Sequence, residues 1–479
     1  MPYNNLQEFI AELEKNNELR RIKVKLSPEL ELTEIADRVC KKNGPALLFE
    51  NIKGYNIPVL MNTFGSEKRM KLALSTDNLK SISERILEFL DRKTTLGFFD
   101  KIKMIPEMKF IADAFPKEVK DAPGQEIIVE KPSFNLSPII KCWPKDGGKY
   151  ITLPLVFTVD PETGIQNCGI YRMQIYDEIT AGMHWHIHKD GAQHYRKYEA
   201  MNKRMPVSVV IGTDPVVTFC GALPVPEGID EMLVAGLIRG QGVKLVKSKT
   251  NDILVPAEAE IIFEGYIEPF ERRLEGPFGD HTGFYSLEGN FPVFHLECIT
   301  HRKNPIYQAT VVGRPPMEDC YIGSAIEQLF LPIIQKQLPE IVDMHMPFAG
   351  VFHNLVLISI NKNYPGQARK VMHAIWGMGQ AMFSKVIIVV DNPANIRDYN
   401  EVCWRVLNNI DPERDMEFVK GPLDELNYAS SQPLYGSKVG IDATRKFKEE
   451  GFTRQLPDEI KMNKDTIEKI NQLWTQLGL

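Results

Sequence analysis

The stretch Val207-Ser208-Val209-Val210-Ile211-Gly212-Thr213-Asp214-Pro215-Val216-Val217-Thr218-Phe219 decides the fold class of the middle of the chain. Two short runs rich in β-branched residues flank a Gly-Thr-Asp-Pro break. Read together, Val207 to Ile211 and Val216 to Phe219 predict two strands across a turn. The same pattern spreads outward on both sides. Ile127 to Val129, Ile261 to Phe263 and Val293 to Leu296 are further short apolar runs, punctuated by Gly and Pro. From about residue 126 to 318 this spacing predicts a barrel or sandwich. One helix interrupts it, Asp230 to Arg239, with Met232, Leu233, Leu237 and Ile238 as its apolar residues.

On either side the period changes. Leu6, Phe9, Ile10 and Leu13 have helical spacing, and Ile22, Val24 and Leu26 alternate with lysines as a strand would. Ala46 to Phe49 and Pro58 to Met61 read as short buried strands, Met70 to Leu74 and Leu79 to Leu90 as helices. Residues 91–125 are irregular and read as a connector. The last third alternates again: helix Ala325 to Gln337, strand Leu355 to Ile360, helix Gln367 to Trp376, strand Val386 to Val390, helix Tyr399 to Leu407, then Phe418-Val419. Such alternation predicts an open sheet with helices packed on it. The tail from Asp458 to Leu479 reads as an amphipathic helix. No internal repeat or low-complexity tract is evident.

The composition narrows the function. The chain has 479 residues, 43% hydrophobic and 25% charged, with a formal net charge of -6. That is a globular profile of roughly two to four domains. There is no basic balance or stripe of the kind that binds nucleic acid. Seven cysteines (Cys40, Cys142, Cys168, Cys220, Cys298, Cys320, Cys403) are scattered without a CxxC pair, which excludes a zinc ribbon and fits reduced thiols in the cytoplasm. The N-terminal residues carry no signal-peptide pattern, and no apolar run reaches the ~20 residues of a membrane span. The phosphate loop GxxxxGK[ST], the GxSxG elbow and the HExxH pair are all missing, and Gly236 to Gly242 follows a helix rather than a strand.

Three segments concentrate the chemistry: Asn167 to Arg172, Met183 to Gly191, and Glu275-Gly276-Pro277-Phe278-Gly279-Asp280-His281. Four of the ten histidines fall between His184 and His194. On a strand, His184, His186 and His188 would share one face, as a metal site or as an exposed polar face. The glycines between Glu275 and Asp280 permit a tight bend that could bring both carboxylates into one pocket, where burial and repulsion would push their pKa values apart. The competing reading is a surface turn with two solvated acids. Arg172 could grip a carboxylate through paired hydrogen bonds, or form a structural ion pair. Glu231 opens a helix, where an acid is also favoured by the helix dipole.

Taken together, these segments resemble the UbiD family of decarboxylases. The resemblance covers nearly the whole chain and is strongest at Asn167 to Arg172, Glu275 to His281, Gly313-Arg314-Pro315-Pro316, and Gly436-Ser437-Lys438 leading to Asp442-Ala443-Thr444. Phe330 to Asp343 looks like the 4-hydroxy-3-polyprenylbenzoate decarboxylase branch. The resemblance implies an α/β (α+β) multidomain fold. A small N-terminal α/β domain and connector would occupy residues 1–120. A flavin-reductase-like split β-barrel binding prenylated FMN would occupy 121–320, and a C-terminal α/β domain with an oligomerisation helix 321–479.

It also implies roles. Arg172, Glu275 and Asp280 match the catalytic set. Asn167, Ile170, Tyr171, Arg172, Trp185, His188, Lys189, Glu231 and Lys438 match cofactor contacts. Asn167 and Glu231, with His188 as the favoured histidine, match the ligands of Mn²⁺ (or Mg²⁺) at the cofactor phosphate, and a K⁺ ion would fit nearby. A homo-oligomer, hexamer or dimer, is implied, as is a separate flavin prenyltransferase that supplies the cofactor.

The expected reaction is non-oxidative decarboxylation of an aromatic acid, foremost 4-hydroxy-3-polyprenylbenzoate in ubiquinone synthesis. A menaquinone-pathway naphthoate decarboxylase, a reversible phenolic-acid decarboxylase or carboxylase, and an inert flavin-binding assembly subunit are the alternatives. The expected location is cytoplasmic, with contact at the inner membrane left open.

Overall fold

The protein is seen here as a computed structural model that describes residues 3–92, 112–225, 228–455 and 457–478. Most of the connector expected at 91–125 lies outside the described residues.

The N-terminal part is a four-stranded sheet in the order Leu19–Ile22, Ala46–Phe49, Val59–Met61, Tyr307–Gln308. Its last strand returns from beyond the central sheet, so the two are tied together by the chain itself. Helix Leu6–Lys15 buries Leu6, Phe9, Ile10 and Leu13, the residues picked out by the helical period, and Asn5 caps it by accepting from Glu8 N. The strand expected over Ile22 to Leu26 instead occupies Leu19–Ile22, and Val24 is 68% exposed. Pairing with Ala46–Phe49 overrides the local alternation there.

The centre is a nine-stranded antiparallel sheet curled into a half-barrel. Its spine is the long hairpin Ile261–Glu275 with Gly289–His301, extended by Met205–Ile211, Leu155–Val159 and Gln166–Ile170 on one side and by Thr180–Met183, Met173–Ile175 and Tyr150–Ile151 on the other. Register shifts between Glu264 and Gly265 and between Ile267 and Arg272 bend the hairpin. Gly265 allows the two strands of the hairpin to approach closely. A Cβ there would stand 1.8 Å from the His295 carbonyl oxygen.

Val216 to Phe219, expected as a strand, is part of helix Pro215–Cys220. Asp214 accepts hydrogen bonds from Val216 N and Val217 N, and Pro215 occupies the first helical turn. The cap outweighs the β-branched composition, and Val216, Val217 and Phe219 are buried all the same.

The C-terminal part is a five-stranded mixed sheet, Ile341–His345, Leu355–Ile360, Val386–Asp391, Tyr435–Asp442, Met416–Pro422. Helices Gln367–Trp376 and Tyr399–Asn409 make its crossovers. The 20-residue helix Glu318–Gln337 leads into it from the central sheet. Helix Lys464–Leu473 near the terminus buries none of its residues. Six cysteines are buried, Cys403 is exposed, and all seven are free. No helix among the described residues is long and apolar enough to cross a membrane.

Phe263 is fully buried in the half-barrel core, against Phe134 at 5.5 Å between ring centroids. Phe263→Ala should cost about 3 kcal/mol through lost burial and a residual cavity. Chemical denaturation of parent and variant checks this.

Candidate active site

Arg172 follows the strand Gln166–Ile170 and enters a pocket closed by the turn after Glu275. That turn is fixed from several sides. Gly276 has φ +104°, which a side chain would oppose, and its N–H donates to Gln174 Oε1 at 2.7 Å. Gly279 N donates to Asp146 Oδ1 at 2.8 Å, and a Cβ on Gly279 would stand 2.1 Å from the Trp143 ring. The bend therefore brings Glu275 (0% exposed) and Asp280 (6% exposed) to the same guanidinium.

Arg172 Nε donates to Glu275 Oε1 at 3.0 Å, and Nη2 reaches Glu275 Oε2 at 3.4 Å and Ser286 Oγ at 3.1 Å. Arg172 Nη1 donates to Asp280 Oδ2. The guanidinium also lies 4.6 Å from the centre of the Phe278 ring. A buried arrangement of this kind holds only because nearly every donor and lone pair is engaged; removing one member would strand a charge.

The expectation that repulsion would separate the two acids is corrected by this geometry. Burial raises the Glu275 pKa, but the His184 hydrogen bond and Arg172 outweigh it and bring the group down to about 2. Burial acts the same way on Asp280, and Arg172 together with His281 drives its pKa well below the usual carboxylate range. Arg172 stands between the acids, so attraction to it exceeds their repulsion. Burial alone would lower the Arg172 pKa, but Asp280 and Glu275 reverse that and raise it.

The histidine run divides. The strand ends at Met183, so His184, His186 and His188 do not form one strand face. His184 Nδ1 donates to Glu275 Oε2 at 3.0 Å, and its Nε2 lies 2.8 Å from His186 Nε2. His188 instead packs on the Phe383 ring, 5.5 Å between centroids.

The other expected site residues surround the start of helix Asp190–Ala200. Lys189 Nζ donates to Gln380 Oε1 at 3.1 Å, and Lys438 Nζ to the Met382 carbonyl. His188, Lys189 and Lys438 therefore all meet the short turn Gly379–Phe383. Burial lowers the Lys438 pKa to about 8. Trp185 stands edge-on to Tyr171 at 6.2 Å between centroids. Ile170 is half-buried and anchored by its backbone N–H to the Gly221 carbonyl.

Glu231 Oε2 accepts from Cys168 N at 2.9 Å, and burial pushes the Glu231 pKa up to about 8. Asn167 Nδ2 and Trp185 Nε1 are buried without a protein hydrogen-bond partner. Unpaired buried donors and an uncompensated buried carboxylate fit a polar ligand bound with a cation. No group of three or more His, Cys, Asp or Glu in a metal-holding arrangement occurs among the described residues.

Residues without an assigned role in the sequence also build this site. They are His184 on Glu275, Ser286 on Arg172, His281 on Asp280, and His353 and Glu425 from the C-terminal part. His186 Nε2 lies 3.7 Å from Glu425 Oε2, and Leu287 N donates to Tyr428 Oη at 3.0 Å. The proximity of His184 to the acid turn needs the sheet pairing of Thr180–Met183 with Gly289–His301. His353, Glu425 and Tyr428 carry no local signal, because they arrive from another sheet.

Known proteins match this chain over nearly its whole length. The 3-octaprenyl-4-hydroxybenzoate carboxy-lyase Rift-related domain matches residues 117–315, with the N-terminal domain of the same family at 10–86 and its C-terminal domain at 320–443. The chain belongs to the UbiD family of carboxy-lyases. A protein of Archaeoglobus fulgidus is 48% identical over 479 residues, covering 100% of this chain and 99% of its own length.

Among solved UbiD-class structures, the vanillic acid decarboxylase of Sedimentibacter hydroxybenzoicus in its closed form matches with TM-score 0.86 and 29% identity, over 99% of each chain. Its open form matches with TM-score 0.77. The UbiD-class enzyme HmfF of Pelotomaculum thermopropionicum, in complex with FMN, matches with TM-score 0.79 and 27% identity, over 95% of this chain and 97% of its own.

Glu275 contributes to stability by ionising more readily in the folded protein than in the unfolded one. That contribution is complete above the unfolded value of 4.5 and is lost as pH falls through about 2. Between these limits the stability of Glu275→Gln should fall less steeply with acidification than that of the parent. Urea unfolding at a series of pH values measures the two slopes.

Proposed function

We propose that this UbiD-family chain is a prenylated-FMN-dependent decarboxylase of an aromatic acid. The observation that carries this reading is Arg172 held by Glu275 and Asp280 in a buried pocket beside unpaired polar groups. A purely structural subunit gains little from two ionised acids in its interior, since the desolvation they require is costly. When bound, the modified flavin supplies the electron sink that a ring carbon losing CO₂ needs and that no side chain can offer.

The residues of this chain do the rest. Arg172, its donors already directed to Glu275, Asp280 and Ser286, attracts the substrate carboxylate by its positive charge. Glu275, locked by His184 and Arg172, fixes the guanidinium and sets the local charge. Asp280 carries the proton that replaces CO₂ on the ring. Phe278 and Phe291, the latter 4.3 Å from the His184 ring, keep water from the acids.

Trp185, Tyr171, Ile170, Lys189 and Lys438 would hold the flavin. Asn167 and Glu231 would bind Mn²⁺ or Mg²⁺ at its phosphate, since hard oxygen donors suit such ions. His188, which packs on Phe383, is the histidine we propose for the same ion.

For the substrate we propose a 4-hydroxybenzoate substituted at the adjacent ring position. This chemistry is shared by the polyprenylated acid named in the family description and by vanillic acid, the substrate of the Sedimentibacter enzyme. The polyprenylated acid of quinone synthesis remains the leading choice. The phenolic-acid reading is favoured second, by the TM-score of 0.86 to that decarboxylase. A homo-oligomer and a flavin prenyltransferase that delivers the cofactor complete the proposal.

CO₂ release from a panel of hydroxybenzoic, prenylated hydroxybenzoic and naphthoic acids tests it. Asp280→Asn should lower kcat by ~10²-fold or more, the scale of a lost general acid, with the bound flavin spectrum unchanged. Parent-like turnover in that variant would remove Asp280 from its role.

A further inference from the structure

In the reading above, Arg172 and its acid partners act on the carboxylate end of the substrate and leave its ring substituents unread. The C-terminal part brings a further carboxylate to this site. Glu425 Oε2 lies 3.7 Å from His186 Nε2, too far for a hydrogen bond, and no group among the described residues donates one to it. The side chain is 32% exposed, so it fronts on space that solvent or a ligand can reach.

His186 is not free to serve Glu425. His184 Nδ1 donates to Glu275, so the Nε2 of that neutral ring is an acceptor. Burial, with Arg172, lowers the His184 pKa and keeps the ring neutral. The proton in the 2.8 Å contact between the two rings therefore belongs to His186 Nε2, which is committed to His184.

Glu425 is also held in place before any ligand arrives. Its neighbours Leu423 and Leu426 are buried, and Leu426 N donates to Asp424 Oδ1 at 2.9 Å. Lys385 Nζ donates to Asn427 Oδ1 at 3.2 Å, and Tyr428 Oη accepts from Leu287 N at 3.0 Å. A carboxylate ordered in advance and lacking a donor binds a donor at little further entropic cost.

The spacing suits an aromatic acid. From Glu275 Oε2 it is 3.0 Å to His184 Nδ1, then 2.8 Å from its Nε2 to His186, and 3.7 Å on to Glu425. One imidazole and its contacts thus separate the two acids, a span comparable with a benzene ring and the hydrogen bonds at its ends. Burial and Asp424 raise the Glu425 pKa against the Arg172 charge, and a more basic carboxylate is a stronger acceptor.

We propose that Glu425 selects for a hydroxylated ring: its free carboxylate oxygen accepts the phenolic O–H of the substrate while Arg172 draws the carboxylate. The proposal rests on the decarboxylase reading above and adds to it the residue that reads the ring hydroxyl. Glu425 acts in binding and takes no part in breaking the bond to CO₂. An acid without the hydroxyl leaves Glu425 unpaired against the ring edge, and a second carboxylate at that position is repelled.

Dissociation constants measured by calorimetry test this on flavin-loaded, full-length Asp280→Asn enzyme, alone and with Glu425→Met or Glu425→Gln added. The probes are vanillic acid against 3-methoxybenzoic acid, and 4-hydroxy-3-prenylbenzoic acid against 3-prenylbenzoic acid. With Glu425 present, the hydroxylated member of the better-bound pair should bind ~10–100-fold tighter, the scale of a hydrogen bond to a charged group. Glu425→Met keeps a similar volume without an acceptor. It should erase the preference by weakening the hydroxylated acid alone. Glu425→Gln, whose amide oxygen still accepts, should restore part of it.

An equal loss for both members of a pair in Glu425→Met overturns the proposal and makes Glu425 a strut against His186. A preference that survives Glu425→Met overturns it too, as does the lack of any preference with Glu425 in place. These outcomes leave the decarboxylase reading intact, because CO₂ release by the parent enzyme is measured separately. Release from none of the acids overturns that reading, and the role of Glu425 with it.

Discussion

The structure of the site depends on one buried guanidinium. Arg172 is the positive charge that allows Glu275 and Asp280 to sit ionised within the same pocket. Without it, the two carboxylates would repel each other in a medium that hydrates neither well, and at least one would be protonated. With it, both carboxylates stay ionised, and Glu275 is fixed by His184 as well. The rest of the half-barrel serves that geometry. Gln174 and Asp146 hold the glycine turn, His184 holds Glu275, and Ser286 takes up a further Arg172 donor.

The second constraint comes from the C-terminal part. Gln380, Met382 and Phe383 meet Lys189, Lys438 and His188, while His353, Glu425 and Tyr428 approach the acid turn. The site is therefore assembled from two sheets. Any motion of one against the other would alter both sets of contacts together.

Much of this was legible in the sequence where local rules act. The helical period of Leu6 to Leu13, the strands of the last third and the helix Gln367–Trp376 all emerged as read. The glycine-rich turn from Glu275 to Asp280 revealed itself through residue type, since few other residues tolerate such a bend. The sequence misled where a cap or a distant strand decides. Asp214 and Pro215 turn a β-branched run into a helix, and strand pairing moves the expected Ile22–Leu26 strand back to Leu19. The His184 to His188 alternation suggested one face, but the strand stops at Met183 and the imidazoles separate. The relation of the two acids was also misjudged, because their distance from Arg172 is a tertiary fact. His353 lay beyond any sequence rule for the same reason.

The central claim is that this pocket works with a prenylated flavin. The most direct test is absorbance spectroscopy and mass spectrometry of the cofactor released from protein co-produced with a flavin prenyltransferase and supplied with Mn²⁺. The account predicts prenylated FMN in stoichiometric amount. Protein that emerges without flavin, with Asn167, Glu231 and Lys438 intact, would contradict it and favour an assembly subunit instead.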